Sequence, residues 1–531
     1  MLKKTILFLF LASCTQFIKS TDKDYFDEVS PNDNHSHIQI LFSHNMNGET
    51  HPCGCRKFPL GGLPQVNGII ASHKKLAPTI YVDTGDTFFE SVITPKFLVE
   101  SSKFKAKSIV DALNKLGLKM MVLGDQDFAM GEDFLLELSQ KAQFKFLLSN
   151  ASEKMKLPHE KIIMTEVLGK QLFFIGVVDP SLLQSEQRSL FSSVNLAIKK
   201  QLDYITKQPG KVENKYIILL SHQGLETDEE IAKAFPELDW IIGAHSQSYL
   251  RYSKDINKTR IGQVLSRNHY IGKIGLPINK KSEMKYELIE SRDETKNLVS
   301  PNKFNEWLTS FKTELDIIQN KEQDQFAGAS FDTDHKTKIP TYISCSDCHQ
   351  AQVSFWQSTS HALAYSTLID AKAQNNPSCV KCHSVGMNQT GGFVGTKNII
   401  SSEKKDFDIN KYWEDFKKEH TIKHPLRKLS GKAKSVHAKK WLKSDVKKGI
   451  VANHANVQCL NCHNQNLDHP FGESSPLKAQ DYQKKCLQCH TTDQSPEWYD
   501  KDAHNGLATS LNKTYFSKKL KSVSCPKIEK E

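Results

Sequence analysis

Eight of the chain's 12 cysteines fall in one repeated pattern: Cys345-Ser-Asp-Cys348-His349, Cys379-Val-Lys-Cys382-His383, Cys459-Leu-Asn-Cys462-His463 and Cys486-Leu-Gln-Cys489-His490. Each is C-x-x-C-H, the attachment signal for c-type haem. Two thiols three positions apart reach the two vinyl groups of one porphyrin, and the next imidazole then lies under the iron. At this composition about 0.01 such motifs per chain are expected by chance. A zinc ribbon needs paired C-x-x-C but no histidine fixed after each pair, which argues against zinc. The sequence therefore predicts four covalent haem c groups with His349, His383, His463 and His490 as proximal ligands.

The elements that must hold these groups are weakly patterned. Between the motifs the sequence is polar, with few runs of helical or strand period. Four porphyrins are expected to supply apolar core that side chains do not. The formal charge is +11, and residues 401–450 carry 15 Lys/Arg against 7 Asp/Glu. That stretch reads as a solvated, poorly ordered insertion, with haem propionates balancing part of the excess. No nucleic-acid partner is expected.

Phe355-Trp-Gln-Ser-Thr-Ser-His361-Ala-Leu-Ala resembles the W-x-x-S/T-x-H-A element of tetrahaem cytochromes from nitrifying bacteria. The resemblance covers 341–510 and implies His361 as a sixth iron ligand. His469, six residues after His463, matches that family's histidine at the same spacing. His454 and His504 are weaker matches, and His420, His424 and His437 stand in reserve. The family's glutamate after the third motif's first cysteine is Leu460 here, and its Gly-Pro-Gly is Asn464-Gln-Asn466. Iron held by two histidines is suited to moving electrons, whereas an iron with one open position could bind a small inorganic substrate.

From 35 to about 295 apolar runs alternate with helical stretches, an α/β pattern. Strand-like runs include Ile38–Phe42, Thr79–Asp83, Met120–Leu123, Leu172–Val177, Tyr216–Leu220 and Trp240–Ile242, with a helix over Lys103–Leu116. Several end on polar tips: Asp83-Thr-Gly-Asp86, Gly124-Asp-Gln-Asp-Phe128, Ser221-His-Gln-Gly224 and Gly243-Ala-His245-Ser-Gln247. In that order they resemble the blocks of the 5′-nucleotidase branch of calcineurin-like metallophosphoesterases. Such a site holds two cations about 4 Å apart, bridged by a carboxylate. The resemblance implies Asp86 as the bridging carboxylate and His222 and His245 as metal ligands. The first block's Asp and His fall on Asn45 and Asn47. The third block's Asn-His falls on Asp125 and Gln126, and the last histidine is Gln247. The usual acid/base histidine is thus absent, and so is the nucleotidases' second domain.

Cys53 and Cys55 follow within ten residues of Asn45. Their thiolates could join Asn45, Asp86, Asp125, His222 and His245 in an altered site for a softer metal such as zinc, iron or copper. A disulfide from Cys53 or Cys55 to Cys525, or a strained Cys-Gly-Cys bridge, is the alternative. The combination of a P-C-G-C…L-G-G-L block, here ending Gly61-Gly-Leu63, with a tetrahaem tail resembles a group of exported bacterial proteins.

Met1-Leu-Lys-Lys, Ile6–Phe10 and Leu11-Ala-Ser-Cys14 read as a signal peptide with a lipoprotein cleavage box. Residues 1–13 would be the signal, Cys14 the lipidated residue and 14–34 a tether. Then follow a metallophosphoesterase-like domain (35–295), a helical linker (296–340), a tetrahaem cytochrome domain (341–510) and a basic tail (511–531) expected to lack order. In the linker Phe304, Trp307, Leu308, Phe311 and Leu315 share one helical face. The fold class expected is an α/β metallophosphatase-like sandwich followed by a loop- and helix-rich tetrahaem domain. The function expected is electron transfer by a protein lipid-anchored at the periplasmic face of the outer membrane, exchanging electrons with redox proteins. Its N-terminal domain would be degenerate, with a binding or altered-metal role. A metal-dependent phosphoesterase, or an oxidoreductase acting on an inorganic nitrogen or sulfur compound, are the alternatives.

Overall fold

The computed structural model describes residues 37–52, 59–279, 281–326, 339–389, 391–463, 478–492, 494–501 and 508–526. The signal and tether, Cys14, Cys53, Cys55, His469 and His504 lie outside them.

Two six-stranded sheets form the N-terminal domain. The first contains β1 (His37–Ser43), β2 (Thr79–Asp83), β3 (Leu118–Met121), β4 (Lys145–Phe146), β11 (Tyr270–Pro277) and β12 (Lys285–Glu290), in the order β12-β11-β1-β2-β3-β4. The second contains β5 (Ile163–Val167), β6 (Lys170–Val178), β7 (Lys215–His222), β8 (Trp240–Gly243), β9 (Lys254–Ile256) and β10 (Thr259–Gly262), in the order β5-β6-β7-β8-β10-β9. Neighbours from β1 to β4 and from β6 through β8 to β10 are parallel, so their carboxyl ends share one edge.

The sandwich follows from the period-2 alternation of strands buried on both faces. In β6, Leu172, Phe174 and Val178 face the core between the sheets with Phe42, Ile218 and Trp240. Phe173, Ile175 and Val177 face outward onto Val194, Ile198 and Leu202. The parallel strands need crossovers, supplied by α1 (Leu63–Lys74), α2 (Val99–Leu116), α3 (Gly131–Lys141), α4 (Val194–Thr206) and α5 (Leu225–Ala234).

Helix α6 (Phe304–Phe326) touches both halves of the chain. Phe311 stacks on Phe104 of α2 at 5.6 Å, and Glu322 Oε1 accepts the N–H groups of Glu100 (2.6 Å) and Ser101 (3.0 Å). That carboxylate satisfies orphan donors at the start of α2. On the cytochrome side, Asp316 accepts a hydrogen bond from Asn375 at 2.9 Å and Thr313 one from Lys372 at 3.2 Å.

The C-terminal half is rich in helix: α7 (Gln350–Gln357), α8 (Ala364–Asp370), α9 (Pro377–His383), α10 (Ile409–Glu419), α11 (Gly431–Lys447), α12 (Ala479–Leu487) and α13 (Lys513–Val523). Two short antiparallel pairs accompany them, β13 (Ile400–Ser402) with β14 (Ile450–Asn453) and β15 (Tyr499–Lys501) with β16 (Ala508–Leu511). Two expectations are corrected here. Residues 401–450 are not a poorly ordered insertion. Tyr412, Trp413 and Phe416 of α10 and Trp441 of α11 pack with Tyr365, Leu368 and Ile400 into a side-chain core. The stretch after 510 is not featureless either. Asn512 Oδ1 accepts the Tyr515 N–H at 2.8 Å as an N-cap, and buried Phe516 lies 6.0 Å from Trp498. Among the described residues no helix is long and apolar enough to cross a membrane.

Candidate metal centre and haem-attachment sites

The tips of β2, β3, β7 and β8 meet where the carboxyl ends of the parallel strands converge, the usual place for ligands in open α/β sheets. Asp86, Asp125, His222 and His245 bring one ligand atom each within 4.8 Å of one another. His222 Nε2 lies 3.2 Å from Asp125 Oδ1 and 3.4 Å from Asp86 Oδ2, and His245 Nδ1 lies 3.1 Å from Asp125 Oδ1. Ligands about 2.1 Å from a shared cation stand about 3.0–3.4 Å apart at octahedral or tetrahedral angles. The residues fit one divalent ion.

Surrounding groups fix that geometry. His222 Nδ1 donates to the Thr84 carbonyl at 2.7 Å, which turns Nε2 towards the two carboxylates, where a bound cation would take the place of its proton. Burial alone would push His222 down, but Asp86 and Asp125 outweigh it and hold its pKa well above the ordinary histidine value. A Cβ at Gly124 would sit 2.1 Å from Asp86 Oδ1 and 2.5 Å from His222 Cε1, so only glycine lets β3 approach the site. Asn45, Asn47, Asp86, His245 and Gln247 all have left-handed backbone, φ 47 to 68°. Strain of this kind gathers at functional sites.

Asn45, expected among the ligands, enters instead as a donor. His44 is neutral, its pKa pushed down to about 3 by burial, and its Nε2 accepts the Val264 N–H at 2.8 Å. Its Nδ1–H therefore donates to Asn45 Oδ1 at 2.8 Å, and the His245 N–H approaches the same oxygen at 3.2 Å. The Asn45 NH₂ is left to face Asp86 Oδ2, at 2.9 Å. Gln126 Nε2 reaches the same oxygen at 3.1 Å. Two amide donors thus stand on the side of Asp86 where a second cation would need ligands.

Asp127 had no assigned role in the sequence, although it lies inside the quoted Gly124–Phe128 block. It is fully buried, and its carboxylate accepts the N–H groups of Asp86, Thr87, Phe88 and Gly124 at 2.8–2.9 Å. It ties the β2 tip to the β3 tip. His44 was missed as well; its position beside Asn45 at the end of β1 was the available signal.

In the cytochrome half, each C-x-x-C-H closes on one helical turn. The N–H groups of His349, His463 and His490 bond the carbonyls of Cys345, Cys459 and Cys486 at 3.0, 2.8 and 2.9 Å, and Cys379–His383 lies within α9. Thiols at i and i+3 and the imidazole at i+4 therefore share a face. None of the nine described cysteines, Cys525 among them, is joined in a disulfide. Cys345 hydrogen-bonds Cys459 and Cys382 hydrogen-bonds Cys489, so the first motif adjoins the third and the second adjoins the fourth. These residues fit haem. His383 Nδ1 donates to the Ala364 carbonyl at 2.7 Å, presenting Nε2 as its lone-pair nitrogen. Among the described residues the buried Nε2 of His454 has no hydrogen-bond partner, while its Nδ1 faces the Ile399 carbonyl at 3.3 Å. The His361 ring lies 6.4 Å from that of His490, which stacks on Trp498 at 4.1 Å. Of the reserve histidines, His420 stacks on Phe416 at 4.4 Å, and both its ring nitrogens are buried without hydrogen-bond partners among the described residues.

Comparison with known proteins finds similarities of two kinds. Residues 344–405 match the family described as cytochrome c554 and c-prime. The metallophosphoesterase YunD of Bacillus subtilis is 25% identical over 191 residues, 35% of this chain and 40% of that protein. Mouse 5′-nucleotidase is 24% identical over 230 residues, 41% of this chain and 37% of that protein. The chain thus matches less than half the length of these relatives. Among solved structures, a 5′-nucleotidase precursor from Thermus thermophilus aligns with a TM-score of 0.45 at 16% identity, covering 52% of this chain and 59% of that one. The chain pairs a phosphoesterase-like α/β sandwich, bearing a candidate metal cluster, with a helix-rich cytochrome-like segment.

Proposed function

We propose that the chain is an exported, lipid-tethered metal-dependent phosphoesterase working with one cation, joined to a tetrahaem cytochrome that carries electrons. The cluster of Asp86, Asp125, His222 and His245 carries the hydrolase reading. Amide substitutions alone suggested a degenerate domain, but four candidate ligands at coordination spacing, with the His222 ring fixed in orientation, shift the weight to hydrolysis. A cation there supplies Lewis-acid polarisation of a phosphoryl oxygen. The protein would hold it through the four side chains, and Thr84 and Asp127 keep their loops in place. With Gln126 where an acid/base imidazole would stand, the leaving group receives little protonic help. That favours esters with good leaving groups and costs roughly 10²- to 10⁴-fold on poor ones.

Metal analysis tests this reading. Protein incubated with Mn²⁺ or Zn²⁺ and desalted is expected to retain one such ion per chain and to hydrolyse p-nitrophenyl phosphate esters. Asn45→Asp, which replaces a donor with a ligand, is expected to raise the stoichiometry towards two. Two ions in the unmodified protein would refute the single-cation centre, and an active protein with no metal would refute the reading altogether.

The electron-transfer reading is supported by the four closed C-x-x-C-H turns. Intact mass after export in cells that mature c-type cytochromes is expected to show four haem additions. Two or fewer would sink the tetrahaem assignment.

A further inference from the structure

Helix α11 is amphipathic in an unusual sense: one face is packed with aromatics and the other with lysines. It holds six lysines and one carboxylate, Asp445. That carboxylate is buried, accepting hydrogen bonds from Tyr342 Oη (2.9 Å), Asn453 Nδ2 (2.8 Å) and Tyr412 Oη. Nothing acidic is left on the outer face of the helix. At 100° per residue Lys432, Val436, Lys439, Lys443, Val446 and Lys447 fall on one strip, opposite buried Trp441. No carboxylate pairs with Lys432, Lys439, Lys443 or Lys447 among the described residues. Val436 and Val446 are 61% and 64% exposed amid these charges. A shallow groove of about 470 Å³ runs along the strip, lined by Lys439, Leu442, Lys443, Val446 and Lys447.

We propose that this face docks an acidic electron-transfer protein. The strip has the anatomy of a transient interface, a small apolar centre inside a charged rim. From Lys432 to Lys447 it runs about 22 Å, the scale of one partner's share of a standard interface. Single-sign charge steers a partner of opposite sign and raises its encounter rate. The placement explains why a redox partner is the one that fits. On the inner side of α11, Asp445 holds Tyr342, three residues before Cys345 of the first haem motif. A protein seated on the lysines is separated from that motif by roughly one helix diameter, about 10–12 Å. A lipid surface fits less well. Membrane-seated basic helices insert Trp, Phe or Leu, whereas Trp441 is locked in the core, Leu442 is half-buried, and the exposed apolar residues of the helix are two valines.

The proposal extends the electron-transfer reading and is tested by binding, independently of hydrolysis. An oxidised flavodoxin of strongly negative net charge serves as probe, titrated calorimetrically into haem-loaded full-length protein. Binding is expected to weaken at least 10-fold between 20 and 200 mM NaCl. It is expected to weaken at least 10-fold again in Lys439→Glu/Lys443→Glu/Lys447→Glu, with haem content and melting temperature unchanged. The milder Lys→Gln triple variant should fall between the two. A basic cytochrome c should not bind. Flavodoxin that fails to bind, or binds the charge-reversed variant as well as the parent, overturns the proposal. So does a triple variant that loses only affinity for phosphatidylglycerol vesicles, which would make the face a membrane contact.

Discussion

Asp125→Ala is expected to empty the N-terminal centre: retained Mn²⁺ or Zn²⁺ falls from about one ion per chain to a trace, and ester hydrolysis drops by more than about 100-fold. Asp125 Oδ1 is the atom both histidines share, 3.2 Å from His222 Nε2 and 3.1 Å from His245 Nδ1. Without it the two imidazoles lose the anion that gathers them, and Asp86 is left as the lone carboxylate of the set. Disturbing an outer-shell partner alone typically costs 10- to 100-fold in metal affinity, roughly; removing a ligand should cost more. Equilibrium dialysis against Zn²⁺, with the cytochrome's absorbance as an internal check on folding, measures it. Unchanged metal retention in Asp125→Ala would place the ion elsewhere.

The second large effect is structural. Asp445→Ala should destabilise the cytochrome half by about 3–5 kcal/mol, because Tyr342, Tyr412 and Asn453 each lose a buried acceptor at once. Trp441 feels the loss indirectly, since its Nε1–H donates to Tyr412 Oη at 2.8 Å. Denaturant unfolding followed by tryptophan fluorescence reads it. The centre in the other half should keep its metal, which separates this effect from general misfolding. A loss below about 1 kcal/mol would mean that water or a neighbouring group replaces the carboxylate.

The two halves differ in how far their sequences could be read. Strands β2, β3, β7 and β8 lie where apolar runs end on polar tips, because a strand buried on both faces leaves a run that no other element explains. The same tips contain all four residues of the candidate metal cluster. Asn45 was harder. Its residue type says that a charged ligand is missing, but not which way the amide points. That depends on the His44 tautomer, set by Val264, 220 residues further along. Asp127 was hidden for a related reason: it works through backbone N–H groups, which carry no signature in side-chain type. In 401–450 the lysines hid a core. Tyr412, Trp413 and Phe416 sit at helical spacing, but averaging charge over the window buries that period under the solvent-facing residues. The tail misled similarly, since one cap and one buried phenylalanine are enough to anchor α13.

Helix α6 has a practical consequence for anyone who wants to divide the chain. A fragment ending at 295, where the α/β alternation stops, would bare the Phe104 ring and leave the Glu100 and Ser101 amides without the Glu322 carboxylate. A fragment beginning at 341 would lose the Asp316 partner of Asn375. Each half therefore claims the same 23-residue helix. A cut placed after Phe326 keeps the phosphoesterase-like half whole, while the cytochrome-like half gives up its seat on α6.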